Sequence, residues 1–267
     1  MKKINIPFAL AVLAMVTGFF SCKRDIALKD PAVPASANSA HVSFIDVAVN
    51  LNTVLGAKAD TFNILINGIK VTGYTAGTSP VMTMGSIYPL AGTSYGYAEV
   101  PTGDQTIKFA RGVNTLDSVL FYSFNETFQA NTYYTLLVTD SIKSSNDQLR
   151  MVLKDNFTLT DSTAYNMRFI NTVLNDTASV DVYSARQAKT IFAGVKPGAV
   201  VDFGQFRSSF VSDTLYCRRA GTTTNLDVLN TQQLNGYRTY TLIYEGDAKN
   251  ATAKDPKRHH LVAYLNR

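Results

Sequence analysis

The sequence predicts an all-β protein that consists of two consecutive β-sandwich domains. Three features of its 267 residues lead to this prediction. Short runs of alternating or β-branched residues recur along the chain, turn signals separate these runs, and their order in the first half occurs again in the second. The segment before the first run differs from the rest and is predicted to lie outside the fold.

Residues 1–21 have the composition of a signal peptide. Lys2 and Lys3 precede an apolar run from Ile6 to Phe20. At about fifteen residues this run is shorter than the ~20 that a membrane-spanning helix needs. It therefore matches the apolar core of a signal peptide.

Ser21 ends this segment and Cys22 follows it directly. Together with Phe19 and Phe20 they resemble a bacterial lipobox, in the relaxed, phenylalanine-containing form of Bacteroidota. The resemblance implies cleavage before Cys22 and attachment of lipid, including palmitate, to the mature N-terminal cysteine. The alternative is an ordinary secreted protein that is cut elsewhere and in which Cys22 has no such role.

Residues 22–39 are predicted to form an acylated, flexible tether. They are rich in Ala, Ser, Pro and charged residues and have no apolar periodicity, a composition typical of extended, mobile linkers. Lys23-Arg24-Asp25 partly resembles the charged signal that sends some Bacteroidota lipoproteins to the cell surface. We therefore expect an outer membrane lipoprotein that faces either the periplasm or the cell surface.

The region after residue 39 has the pattern of β-strands almost throughout. Asn67-Gly68 stands between Ile66 and Ile69 and is the strongest short-range hairpin signal, because both turn residues need positive φ. No stretch keeps the apolar spacing of a helix over three turns. The runs that predict strands lie at 42–45, 62–66, 107–109, 119–122 and 133–138.

The predicted strands recur in the same order in both halves of the chain, offset by roughly 105 to 125 residues. A repeat of this length fits one small sandwich. We therefore predict domain 1 at 40–157 and domain 2 at 158–267. The corresponding segments are 40–45 with 165–170, 61–65 with 179–183, 131–137 with 237–243, and 149–153 with 260–264.

These segments resemble two tandem copies of the family called domain of unknown function 4397. The second half is the weaker copy, and its Tyr240-Thr241-Leu242-Ile243 fits best. The resemblance implies immunoglobulin-like sandwiches on bacterial surface or periplasmic lipoproteins, and it brings no catalytic residues. The matching segments of the first half are 41–45, 62–68, Pro101-Thr102-Gly103, 106–109 and Tyr134-Thr135-Leu136.

Composition argues against nucleic-acid binding and against a metal or cofactor. The formal charge of +5 includes Lys2 and Lys3, and without them 23 basic residues face 20 acidic ones, a net charge of +3. This balance is too weak for a nucleic-acid surface. The only histidines are His41, His259 and His260, and none has the spacing of a metal motif.

The sequence is not predicted to be an enzyme. Gly92-Thr93-Ser94-Tyr95-Gly96 matches the G-x-S-x-G pattern of serine hydrolases, but a nucleophile elbow requires a helix after the turn. Here Tyr97-Ala98-Glu99-Val100 continues as a strand pattern. Cys217 is predicted to be a buried strand residue rather than a reactive thiol.

Five Asp-Ser or Asp-Thr pairs precede an aliphatic residue or threonine, a pattern that resembles the O-glycosylation acceptor of exported Bacteroidota proteins. The alternative is that these pairs start turns. The predicted acceptors are Ser118, Ser141, Ser162, Thr177 and Thr214.

Segment 73–97, rich in Gly, Ser and Thr, is the candidate for a ligand loop. Long loops on rigid sandwiches are frequent binding sites. The tyrosines that would stack on a ligand are Tyr74, Tyr88 and Tyr95. The alternative is a hairpin with an overhanging tip.

We therefore expect a membrane-tethered, non-catalytic envelope lipoprotein that acts as a binding or structural module, with an envelope protein or a glycan as its partner. The Cys22 lipid is its expected contact with the membrane. The first alternative is an accessory glycan- or protein-binding component of a glycan-uptake system. The second, and least favoured, is a hydrolase that uses Ser94.

Overall fold

The computed structural model describes residues 38–51, 61–72, 81–89, 96–111, 119–139, 150–157, 162–209, 211–232, 234–250, 252 and 254–266. Within these ranges the chain forms seventeen β-strands, all in one compact unit, Ala35–Arg267. No helix in the described part is long and apolar enough to cross a membrane.

The first half of the chain forms two sheets. Its strands are β1 (Ser39–Asp46), β2 (Asn63–Ile66), β3 (Ile69–Lys70), β4 (Ile87–Tyr88), β5 (Ala98–Pro101), β6 (Gly103–Arg111), β7 (Val119–Phe128), β8 (Tyr133–Val138) and β9 (Arg150–Lys154). The sheet that faces the second half, named here the first joint sheet, has the order β4-β1-β8-β9, and β5 also pairs with β1. The first outer sheet has the order β3-β2-β6-β7.

The second half also forms two sheets. Its strands are β10 (Ala164–Asn171), β11 (Val180–Ser184), β12 (Lys189–Val195), β13 (Val200–Arg207), β14 (Asp213–Arg219), β15 (Asn225–Gln232), β16 (Thr239–Glu245) and β17 (His260–Leu265). The second joint sheet has the order β13-β10-β16-β17, and the second outer sheet has the order β12-β11-β14-β15. The prediction of an all-β sandwich fold is confirmed.

The pairing of the central strands is the same in both halves, apart from β5, which has no separate counterpart in the second half. β1 pairs in parallel with β8, and β10 pairs in parallel with β16. Ser43 lies opposite Thr135 in the first pair, and Arg168 lies opposite Thr241 in the second. β9 and β17 then add antiparallel to β8 and β16. The repeat that the sequence predicts is therefore present as a repeat of strand pairing and of register.

Asn67-Gly68 forms the predicted two-residue hairpin turn between β2 and β3. Ile66 pairs with Ile69 across the turn. Asn67 has a φ of 49° and Gly68 a φ of 82°, so both central residues occupy the left-handed region that this turn requires. The prediction of the hairpin is confirmed.

Gly68→Val is expected to lower the free energy of unfolding by about 1 to 3 kcal/mol, because a β-branched residue would have to adopt positive φ. A Cβ at this position meets no atom within 4 Å, so the cost comes from backbone strain and not from a clash. Urea unfolding of both proteins measures the difference. Gly68→Asn is the matched control, since asparagine tolerates positive φ and should cost less.

The same substitution tests whether the halves are independent domains. If they unfold separately, only the transition of the first half should shift, and an equal shift of both transitions would contradict the two-domain prediction. The predicted boundary after residue 157 is followed by 158–161, which lie outside the described residues.

Each half has its own apolar core between its two sheets. A fully buried aliphatic or aromatic side chain contributes about 1.5 to 3 kcal/mol, so these cores are the main source of stability for each sandwich. The central buried residues are Val42, Phe44, Ile64, Phe109 and Leu136 in the first half and Met167, Phe169, Val182, Cys217 and Leu242 in the second.

A third apolar cluster lies between the two joint sheets. Ile45 and Leu137 contribute from the first half and Ile170 and Ile243 from the second, and all four are 0% exposed. Ile45 and Ile170 occupy corresponding positions of the repeat, as do Leu137 and Ile243. The joint thus resembles an isologous interface, in which both sides use the same patch. The halves contact each other through a buried face in addition to their separate cores.

Candidate functional site at the joint between the two halves

A buried carboxylate marks one end of the joint. Asp155 follows β9, and its side chain is 0% exposed. Its Oδ2 accepts hydrogen bonds from the hydroxyls of Tyr97, at 2.6 Å, and Thr135, at 2.8 Å. Burial raises the pKa of Tyr97 well above its usual value, and the neighbouring Asp155 charge acts in the same direction. The Tyr97 hydroxyl therefore stays protonated and keeps its role as a donor.

The second half supplies the matching cation. Arg168 lies in the middle of β10, is 1% exposed, and donates from Nη1 to Asp155 Oδ1 at 2.5 Å. Its Nε donates to the Thr241 hydroxyl at 2.9 Å, and that hydroxyl donates to Asn266 Oδ1 at 2.6 Å. Asn266 Nδ2 closes the network by donating to the Tyr97 hydroxyl at 3.0 Å. We call these six side chains the joint network.

The repeat explains why these side chains meet. Thr135 and Thr241 occupy corresponding positions. Asp155 and Asn266 also correspond, because each lies two residues beyond the residue that pairs with one of these threonines. The repeat is broken at Arg168, which takes the position that Ser43 holds in the first half. Two differences between the copies, Arg168 in place of Ser43 and Asp155 in place of Asn266, thus create the cross-joint ion pair.

Sequence reasoning did not find the joint network. The available signal was Arg168 itself, a charged residue inside an apolar run that was predicted to be a strand. A fully buried arginine is rare unless it is paired, so this position indicated a partner but could not identify it.

The opposite end of the joint carries a second buried carboxylate. Glu245, the last residue of β16, is 0% exposed at its side chain, and its Oε1 lies 3.3 Å from His260 Nε2. The Tyr264 hydroxyl lies 3.3 Å from Glu245 Oε2 and 3.5 Å from the carbonyl oxygen of Gly85 in the first half. Burial raises the pKa of Glu245 above its ordinary value. The hydrogen bond to Glu245 raises the pKa of His260 above its ordinary value of 6.5.

These shifts predict that stability falls as pH rises above neutrality. A folded-state pKa above the unfolded value contributes stability that is present below the unfolded pKa and is lost as pH rises through the folded one. For His260 this window begins at its ordinary value of 6.5 and extends upward. For Glu245 it begins at 4.5, with the same sign. Thermal unfolding at about pH 6 and about pH 8.5 should show a higher melting temperature at the lower pH.

His260→Gln should reduce that pH dependence, because glutamine does not titrate. The matched control is His259→Gln, since the ring of His259 faces Tyr244 at a centroid distance of 5.8 Å instead of facing Glu245. Equal pH dependence in the wild type and His260→Gln would contradict the assignment to this pair.

A cleft of about 380 Å³ opens beside the joint network. The rings of Tyr133 and Phe157 form its aromatic wall, with a centroid distance of 5.8 Å, and both are half-buried. Phe157 in turn contacts Phe203 of the second half at 5.8 Å. The cleft is lined by Asn131, Thr132, Tyr133, Lys154, Asp155, Asn156 and Phe157. We call it the joint cleft.

The joint cleft combines an apolar wall with polar side chains. Asn156 and Lys154 are exposed at its rim, and Lys154 Nζ donates to Gln129 Oε1 at 3.0 Å. Aromatic faces with nearby amides and an ammonium group suit ligands that have both C–H faces and hydroxyls. Asp155 belongs both to this cleft and to the joint network, so the cleft floor is held by the ion pair.

Of the three tyrosines of the predicted ligand loop, the structure describes Tyr88 alone. Tyr88 lies on β4, half-buried, with its ring 6.3 Å from that of Phe44, so it packs against the first core. Tyr74, Tyr95 and Ser94 lie outside the described residues, as does Cys22. Among the described residues, Tyr133 lines the joint cleft, and sequence reasoning placed it in a strand.

The predicted glycosylation acceptors differ in their surroundings. Ser162 and Thr177 are exposed, whereas Thr214 is half-buried within β14. Asp176 Oδ1 accepts a hydrogen bond from the Ala178 N–H at 3.0 Å, the geometry of an Asx turn, which agrees with the alternative that such pairs start turns. Ser118 and Ser141 lie outside the described residues.

Cys217 is buried at 0% exposure in the second core, as predicted. Burial raises the pKa of its thiol, so the reactive thiolate is disfavoured. Within the described ranges, no group of three or more His, Cys, Asp or Glu side chains is arranged to hold a metal ion.

No protein-family model and no curated protein matches this sequence. Among solved structures, the chain is similar to one described as "The Bacillus anthracis TIE protein", with 11% sequence identity and a TM-score of 0.20. The match covers 78% of this chain and 34% of that chain, so this chain spans about a third of the length of that protein. A TM-score of this size carries no argument about fold or function.

Proposed function

We propose that this chain is a membrane-tethered, non-catalytic lipoprotein of the cell envelope whose two β-sandwich halves act as a binding or structural module. The observation that carries the proposal is the placement of β1, which begins at Ser39, directly at the end of the predicted tether. A folded head that starts where a lipid-anchored linker ends is the arrangement that a tethered module needs.

The resemblance of the repeat to domain of unknown function 4397 supports the same proposal, since it implies sandwich domains on exported bacterial lipoproteins. The joint network adds a mechanical argument. The Arg168–Asp155 pair and the apolar cluster around Ile45 and Ile170 hold the two halves together. A single tether would then anchor both halves together, on the periplasmic or the cell-surface face of the outer membrane.

Metabolic labelling tests this proposal. Cells that express the chain and are fed an alkyne analogue of palmitate should yield labelled protein in the membrane fraction. Protease treatment of intact cells then identifies the face, because only a surface-exposed head is accessible. Unlabelled protein in the soluble fraction would overturn the proposal.

A second candidate function is an accessory glycan-binding component of a glycan-uptake system, and the joint cleft favours it. Tyr133, whose ring also stacks on His41 at a centroid distance of 4.5 Å, and Phe157 line a cleft of about 380 Å³, and Asn156 offers an amide at its rim. Sites for small ligands typically have volumes of about 300 to 1,000 Å³ and combine aromatic walls with a few polar groups.

If the joint cleft binds glycans, one class of neutral oligosaccharide should raise the melting temperature, and Asn156→Ala should weaken that binding about tenfold, or about 1.4 kcal/mol. A thermal-shift screen of α-glucans, xylans and mannans identifies the class, and calorimetry measures the affinity. Asn125→Ala is the matched control, because Asn125 is an exposed asparagine of the first outer sheet that accepts one hydrogen bond, from Thr106. Equal affinity of both variants would exclude the joint cleft as the site.

A further inference from the structure

A second cleft, of about 510 Å³, lies at one end of the second half. Two arginines and four hydroxyl-bearing residues line it, and we call it the arginine cleft. These residues come from the turn before β10, the turn between β11 and β12, and the end of β13. Antiparallel pairing of Ala164 with Arg207 brings the start of β10 beside the end of β13. The lining residues are Ser162, Thr163, Arg186, Arg207, Ser208 and Ser209.

Hydrogen bonds to the main chain fix the walls of this cleft. The Ser208 N–H donates to the Thr163 carbonyl at 2.7 Å. Arg186 donates from Nη2 to the Arg207 carbonyl at 3.0 Å, which connects the β11–β12 turn to the end of β13. The site is therefore formed before any ligand arrives, which lowers the entropic cost of binding.

The described lining residues of the arginine cleft include two basic side chains and no acidic one. Within the described ranges, neither Arg186 nor Arg207 forms an ion pair with a carboxylate. Among the described residues, a carboxylate that contacts this region is Asp213, whose Oδ1 accepts from the Arg186 backbone N–H and whose Oδ2 accepts from the Ser184 hydroxyl. The two arginines that line the cleft therefore carry two positive charges, and both oxygens of the nearby Asp213 carboxylate already have donors.

One guanidinium N–H group in this cleft has no hydrogen-bond acceptor among the described residues. Arg186 Nε is buried and has no hydrogen-bond partner in the described part of the chain. A buried donor without an acceptor costs about 1 to 3 kcal/mol, and this penalty would be removed if ligand binding brought an acceptor to Nε. Guanidinium groups bind carboxylates with particular strength because their planar forks match two oxygens.

We propose that the arginine cleft binds an acidic saccharide, with the sugar carboxylate on Arg186 and Arg207 and the sugar hydroxyls on the surrounding serine and threonine hydroxyls. The volume argues against a bare inorganic anion. At about 30 Å³ per water, a cleft of about 510 Å³ would leave most of its space to solvent around a single sulfate or phosphate. The proposal is independent of the Cys22 anchor and of the joint cleft.

The test is isothermal titration of the full chain with trigalacturonate, with maltotriose as the neutral trisaccharide and sodium sulfate as the bare anion. Trigalacturonate should bind, and added sodium chloride should weaken the binding. Arg207→Gln should lower the affinity at least tenfold. Lys196→Gln, which removes an exposed charge before the opposite end of β13, should leave the affinity within twofold.

Arg186→Gln is the second variant and should lose affinity as Arg207→Gln does, with its β-type circular dichroism spectrum as the check on folding. Unchanged affinity in Arg207→Gln would overturn the proposal. If maltotriose bound as tightly as trigalacturonate, the sugar carboxylate would not be recognised. If sulfate bound as tightly as trigalacturonate, the cleft would be a site for a simple anion and not for a saccharide. A negative result in these titrations would not bear on the membrane anchor or on the joint cleft, because Cys22→Ser tests the anchor and Asn156→Ala tests the joint cleft.

Discussion

Asp155→Ala is expected to lower the free energy of unfolding by about 3 to 5 kcal/mol, because it leaves the Arg168 guanidinium buried without its counter-charge. Arg168 is 1% exposed, and the Asp155 carboxylate is its ion-pair partner. The substitution also removes the acceptor of the Tyr97 and Thr135 hydroxyls. Urea unfolding, followed by circular dichroism, measures the loss.

Two further variants distinguish the effect of an unpaired buried charge from a general loss of packing between the two halves. Replacing both partners, Asp155→Asn with Arg168→Met, should recover part of the stability, since no charge is then left buried without its partner and the asparagine carbonyl can still accept a hydrogen bond from Tyr97 or Thr135. Arg219→Gln is the matched control, because its ion pair with Asp176 lies at the surface, where the arginine side chain is 37% exposed. Such pairs contribute about 0 to 1 kcal/mol. If Asp155→Ala were no more harmful than Arg219→Gln, the joint network would not stabilise the fold.

Cys22→Ser is expected to shift the protein from the membrane fraction to the soluble fraction, or to leave an uncut precursor, because acylation requires the thiol. Each buried methylene of an acyl chain contributes about 0.8 kcal/mol, and two chains give stable anchoring. The wild type should therefore remain with membranes in high salt, which releases proteins that are held by charge alone. Cell fractionation and immunoblotting measure the distribution.

Cys217→Ala is the matched control for the anchor. The chain has two cysteines, and Cys217 is buried in the second core. A protein with this substitution should keep its membrane association and its palmitate label. Processed, membrane-bound Cys22→Ser protein would show that the anchor lies elsewhere.

Much of the fold was predictable from local pattern. The run at 42–45 lies within β1, the run at 133–138 coincides with β8, and Asn67-Gly68 forms the expected turn. Alternation with a period of two and positive φ at a turn are properties of neighbouring residues, so a single sequence reveals them. The order of the strands along the chain was accessible for the same reason, because the repeat shows it twice.

The candidate sites were not predictable in this way. Asp155 and Arg168 are 13 residues apart but lie in different halves, and Tyr97 and Asn266 are 169 residues apart in the chain and within hydrogen-bond distance in space. No local pattern links them. Arg186 and Arg207 likewise meet because β10 and β13 pair and the β11–β12 turn folds against them.

The sequence by itself determined the strands, the hairpin turn, the order of the repeat and the expectation of a lipid-anchored tether, because each depends on residues close together in the chain. Only the tertiary structure decided how the two joint sheets face each other, and therefore which polar residues are buried together. The physical reason is that a buried charge is tolerated only with its partner. The position of that partner depends on the packing of the two joint sheets against each other and is not encoded in the spacing along either half of the chain.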